Sequence, residues 1–186
     1  MQVSEHNKKL LRQSQVIMNI LTEFNLQAVI AGGFARDMFH GKDAKDVDIN
    51  VGLDNLGDYD AMRSAILYIK AHYKSTKVWE GNPQRDGSEF EGSVPSEEEH
   101  LVNTVVSIPE LNTDVIFYDC EAGLDIVKQF DCNLNEYVLV GNVPQYVGTS
   151  PIDELRWLRD GISGDRVSKM VHKWTELFPP KEFKPF

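Results

Sequence analysis

Residues Ala28 to Val51, reading A-V-I-A-G-G-F-A-R-D-M-F-H-G-K-D-A-K-D-V-D-I-N-V, leave this chain few ways to fold. The apolar run Ala28–Ala31 ends at a diglycine, so it reads as a short buried strand, and Phe34 to Phe39 is long enough for a helix that starts there. Such a helix start offers bare N–H groups and the positive end of a dipole, which suits a phosphate. The next strand, Val47 to Val51, places Asp46 and Asp48 on one face, because side chains two apart in a strand point the same way. Two adjacent carboxylates repel unless a cation separates them. Hard oxygen ligands beside a phosphate site imply Mg²⁺ or Mn²⁺ with a nucleotide.

A chain of 186 residues holds one domain with a proper core, or one domain plus a small helical appendage. No apolar run approaches a membrane span, and the polar stretch Met1–Lys9 has no signal-peptide core, so the expectation is a cytoplasmic protein with no membrane partner. Cys120 and Cys132 lack metal-ligand spacing and are too few for a disulfide framework, so both read as reduced thiols. A net charge of -10 argues against gripping a long polyanion by general electrostatics. Part of that acidity sits in Glu97-Glu98-Glu99, which leaves room for a local basic patch.

Apolar residues at helical spacing predict an amphipathic helix over Ser4–Phe24, with Ser4 as its cap, and a second over Tyr59–Tyr73, where His72 reads as a solvated C-terminal residue. Lys77–Glu80 reads as a short strand. Gly81–Glu99 reads as a long loop in which Arg85 is either a mobile charge or a substrate contact. Leu101–Ile108 and Leu111–Tyr118 read as adjacent strands separated by Pro109-Glu110. Asp114 opens the second of these. An unpaired buried charge there is costly, so either a metal partner or solvation at the strand edge accounts for it.

Leu124–Gln129 reads as a helical turn, followed by Asp131, Asn133 and Asn135 just before a strand at Tyr137–Val140. Those polar residues either present hydrogen-bonding groups on one face or form turns with their own backbone. Gly141–Ser150 reads as a loop. Ser150-Pro151 then starts a predicted helix over Ile152–Asp160, in which Asp153 and Arg156 meet at i,i+3, and a last helix runs from about Asp165 to Phe178.

The ordered set G-G-F-A-R-D, Gly41 and K-D-V-D-I resembles the signature of the class II tRNA nucleotidyltransferase and bacterial poly(A) polymerase family, within the DNA polymerase β-like nucleotidyltransferase superfamily. The likeness runs from about Gln27 to Arg159. It implies an α+β nucleotidyltransferase fold, a mixed twisted sheet flanked by helices, with a catalytic domain over residues 1–150 and a short helical neck over 151–186. By resemblance, Asp46, Asp48 and Asp114 are the catalytic, metal-binding carboxylates. Gly32 and Gly33 let the backbone approach the phosphates, Arg36 either contacts phosphate or braces the acids, and Asp37 anchors either Arg36 or the helix. Asp131 and Asn135 are similar to the sugar-side segment, while Asp153 and Arg156 are similar to the neck residues that read the base edge.

Ile152 replaces an acid of the neck motif and Gln129-Phe130 replaces an arginine pair, and the few residues after the neck lead to the expectation that the large helical body that holds tRNA in the family is missing. The implied activity is metal-dependent transfer of a nucleoside monophosphate from an NTP, ATP or CTP, to an acceptor hydroxyl with release of pyrophosphate. The acceptor is an RNA 3′ end, a protein or a small molecule. The alternative is a nucleotide-binding regulatory or decoy module without turnover.

Overall fold

The computed structural model of the protein describes residues 3–80 and 102–179. The expected loop at 81–99, with Arg85, lies outside the described residues. Helix α1 (Glu5–Glu23) starts as Ser4 predicts: its Oγ accepts from the Asn7 N–H, satisfying one donor that a helix start leaves bare. Strand β1 (Ala28–Ile30), α2 (Gly33–Phe39), β2 (Val47–Gly52) and α3 (Leu56–His72) follow. α3 starts earlier than the expected Tyr59, because Asn55 and Asp58 form a reciprocal capping box. The chain continues through β3 (Lys77–Glu80), β4 (Val102–Ile108), β5 (Thr113–Tyr118), β6 (Tyr137–Val140), β7 (Val143–Tyr146) and α4 (Gly164–Leu177), with short 3-10 turns at Pro109–Leu111, Gly123–Gln129 and Asn133–Asn135.

The architecture is α+β, a mixed sheet flanked by helices. Five strands lie in the order β1-β2-β5-β4-β3. β2 and β5 run parallel, and the other neighbours are antiparallel. Strand alternation then sorts the two faces of the sheet. Val47, Ile49 and Val51 of β2 and Val115 and Phe117 of β5 are buried in one core with Leu10, Ile17 and Leu21 of α1 and Met62, Ala65 and Ile69 of α3. Each such aliphatic side chain contributes about 1.5–3 kcal/mol when fully buried. A slip of one residue in β2 would drive Asp48 into that core, so the register is strongly fixed. The alternate residues, Asp48 and Asn50 on β2 and Asp114, Ile116 and Tyr118 on β5, line a cavity on the opposite face.

The loop entering β2 is tied down from far away in sequence. Asn7 on α1 is buried; its Nδ2 donates to the Lys42 carbonyl at 2.7 Å and its Oδ1 accepts from the Ala44 N–H at 2.9 Å. Ser4 Oγ donates to Asp43, and His6 Nε2 contacts the Ala44 carbonyl oxygen. These bonds fix the backbone immediately before Asp46.

Two sequence-based expectations need correction. Residues 141–150 are not all loop: Val143–Tyr146 forms β7, an antiparallel partner to β6 with Tyr137 opposite Tyr146 and Leu139 opposite Pro144. Pro144 makes this run look unlike a strand, but a proline is tolerated in an edge strand. The predicted helix over Ile152–Asp160 does not form. Its backbone bonds instead with residues 131–133: the Asn133 N–H donates to the Arg156 carbonyl, and the Leu158 N–H donates to the Asp131 carbonyl. The side chain of Asn133, itself buried, donates through Nδ2 to the Glu154 carbonyl at 2.7 Å and accepts the Arg156 N–H at 2.8 Å. A backbone engaged in this way has no i to i−4 bonds left to make. The last expected helix is present as α4, capped by Ser163.

Candidate active site

Parallel pairing of β2 with β5 puts Asp48 directly opposite Asp114. Asp46, just before β2, completes a set of three carboxylates that line one cavity of about 580 Å³. Burial, then the charges of Asp46 and Asp114, push the Asp48 carboxyl up to about 7 from an ordinary 3.8. Asp114 is also raised, chiefly by burial and by Asp46, with an opposing hydrogen bond from Ser107. Burial and the neighbouring Asp48 hold the Tyr118 hydroxyl protonated well above its usual range.

The glycine turn borders the same space. Gly32 has φ +87° and ψ −136°, a combination that only glycine adopts without strain, and a Cβ there would lie 4.0 Å from Asp48 Oδ2 and from the Phe130 ring. The Gly32 N–H donates to the Tyr137 carbonyl at 2.8 Å, which fastens the turn to β6. α2, which follows, is a helix of only seven residues.

Arg36, Asp131 and Asn135, separated by as many as 99 positions, meet in one buried network. Arg36 donates through Nε to Asp37 Oδ1 at 2.9 Å and through Nη1 to Asn135 Oδ1 at 2.7 Å. Asn135 Nδ2 donates to Asp131 Oδ1 at 2.9 Å, and Arg166 of α4 donates to Asp131 Oδ2. Burial pushes Asp131 up, but the charge and hydrogen bond of Arg166, with the Asn135 bond, outweigh it and hold the carboxyl below its usual range. Lys173 of α4 closes the chain, 3.4 Å from Asp37 Oδ1. The network therefore links α2, the 131–135 segment and α4, with each buried charge paired.

The expected base readers stand elsewhere. Asp153 and Arg156 are exposed, Arg156 pairs with Glu154 at 2.6 Å, and neither lines the cavity, because the segment they occupy is not helical. Among the residues that do line it and that were not expected in the site are Phe130, Arg159, Arg166, Lys169, His172 and Lys173. A signal existed for the last of these: Arg166, Lys169, Met170 and Lys173 stand at i, i+3, i+4 and i+7, the spacing of a single helix face.

Among the described residues, no group of three or more His, Cys, Asp or Glu side chains is drawn close enough together to hold a metal ion. Nor is any helix among them long and apolar enough to cross a membrane. Both cysteines are free.

No family model matches the sequence, and no curated protein matches it. Among solved structures, the chain is similar to a tRNA nucleotidyltransferase complexed with a primer tRNA and an incoming ATP analog, at 19% identity and a TM-score of 0.38. That similarity covers 78% of this chain and 35% of the other, so the chain spans about a third of that protein's length.

Proposed function

We propose that the protein is a metal-dependent nucleotidyltransferase that moves a nucleoside monophosphate from an NTP to an acceptor hydroxyl and releases pyrophosphate. The observation that carries this reading is the pairing of Asp48 with Asp114 on parallel neighbouring strands, with Asp46 beside them, on the open face of the sheet next to the Gly32-Gly33 turn.

A carboxyl pushed up to about 7 by burial and by two like neighbours is a site short of positive charge. The all-carboxylate donor set suits a hard divalent cation, Mg²⁺ or Mn²⁺, which Asp46, Asp48 and Asp114 would hold once drawn closer together than they stand here. When bound, such a cation neutralises charge on the triphosphate and on the departing pyrophosphate. The chain's own residues supply the rest. Gly32 lets the backbone approach the phosphates closely, since a side chain at that position would point toward Asp48 and Phe130. Arg36, which lines the cavity, is pinned by Asp37 and Asn135 and so has little freedom to lose on contacting a phosphate. Asp131 and Asn135 present the sugar side of the pocket. The acceptor oxygen attacks the α-phosphorus, the bond from that phosphorus to the β-bridging oxygen breaks, and Asp114 takes the hydroxyl proton.

The test is to incubate the protein with labelled ATP or CTP, Mg²⁺ and mixed RNA, protein and small-molecule fractions. Pyrophosphate and a mass-tagged acceptor are expected, and both should vanish in Asp48→Asn. One observation favours a second reading, a nucleotide-binding module without turnover: the carboxylates are not gathered around a single point. Calorimetric binding of Mg-NTP without pyrophosphate release from any fraction would establish that reading instead.

A further inference from the structure

α4 faces the cavity with a row of cations, in a chain whose net charge is -10. Arg166, Lys169 and Lys173 repeat at intervals of three and four, so they stack on consecutive turns along one side of the helix, with buried Met170 between them. The two outer members are committed: Arg166 bonds Asp131, and Lys173 pairs with Asp37 and with Glu176. The middle one is not. Lys169 lines the cavity, is exposed, and makes no hydrogen bond or ion pair among the described residues. Its neighbours at i−3 and i+4 are themselves cations; Asp165, at i−4 on the same helix, is exposed and does not pair with it, and Asp131 and Asp37 are already taken by Arg166 and Lys173.

We propose that α4 is the wall that receives the polyphosphate tail of the nucleotide, with Lys169 making the phosphate contact and Arg166 and Lys173 acting as positioning residues that hold the helix against Asp131 and Asp37. The proposal rests on the nucleotidyltransferase reading and names the part of the substrate that this wall recognises. A compact ammonium at the mouth of a cavity, free to point inward, suits the outermost, most highly charged phosphates. The apolar and amide groups on the floor of the cavity, such as Ile116 and Asn50, do not.

The experiment is calorimetric titration of the whole chain, in Mg²⁺ and without acceptor, with the mono-, di- and triphosphates of adenosine and cytidine and with inorganic tripolyphosphate. The wild type is expected to tighten with each added phosphate. Lys169→Gln should lose about tenfold in triphosphate affinity while binding monophosphate as the wild type does, and Lys169→Arg should restore the tightening. Because Lys169 is exposed, neither change disturbs the core, and circular dichroism checks this directly. If Lys169→Gln keeps the full dependence on phosphate number, the assignment of the wall is overturned while the nucleotidyltransferase reading stands. An equal loss for mono- and triphosphate also overturns it. If the wild type binds no nucleotide, the reading beneath it falls too.

Discussion

The carboxylate set at Asp46, Asp48 and Asp114 is bought with stability, and the cost is measurable. An aspartate whose value rises from 3.8 to about 7 on folding destabilises the native state whenever it is ionised. The direction follows from the raised value: the native state keeps its full stability below about pH 4, loses it as pH climbs through about 7, and carries the whole penalty above about pH 8. At about 1.4 kcal/mol per pH unit, that gap amounts to about 4 kcal/mol as an upper limit. Asp48 keeps some contact with cavity water, which screens part of the repulsion, so Asp48→Asn is expected to stabilise the metal-free protein by about 1–3 kcal/mol at pH 8. The gain should shrink toward zero near pH 4, where asparagine merely replaces a protonated carboxyl of the same shape. Urea unfolding of both proteins in EDTA across pH 4–8.5 gives the comparison, and added Mg²⁺ should raise the wild-type midpoint selectively. A variant no more stable than wild type at pH 8, or a gain that does not change with pH, would refute the electrostatic argument.

Other consequences are sharper in location than in size. Asn133→Ala removes the side chain that holds the Pro151–Arg156 backbone, so a loss of about 1–3 kcal/mol and new protease cleavage between residues 151 and 158 are expected, read by urea unfolding and limited trypsin digestion. Gly32→Ala places a Cβ on a backbone that only glycine accepts; a cost of about 1–3 kcal/mol and a loss of nucleotide affinity should appear together in thermal melts and calorimetry. Arg36→Met leaves Asp37 and Asn135 with one partner fewer inside a buried network, which should cost about 3–5 kcal/mol in a denaturant titration, whereas an Asn135→Ala variant should lose less.

Much of the fold was legible because local signals agreed with the packing. Ser4 and the apolar stripe after it specify α1, and the alternation around Val47–Val51 already separates Asp48 from the core. The cluster Asp131–Asn135 was open to two readings, and only one of them describes Asp131 and Asn135, which join the buried network; the Asn133 side chain instead bonds the distant backbone of Glu154 and Arg156. The register that sets Asp48 opposite Asp114 was not legible in the same sense, since it depends on which strands become neighbours across a separation of 66 positions in the chain. Ile152–Asp160 has good helical spacing, yet its backbone pairs with a segment that no local rule connects to it. The cationic face of α4 had a visible period, but its meaning came only from the cavity it borders.

The tie between Asn7 and the Lys42–Ala44 loop spans up to 37 positions and ends two residues short of Asp46. The first turn of α1 thus behaves, for genetics, like part of the pocket. In a selection for activity, substitutions at Asn7 should score beside those at the carboxylates, although Asn7 does not line the cavity.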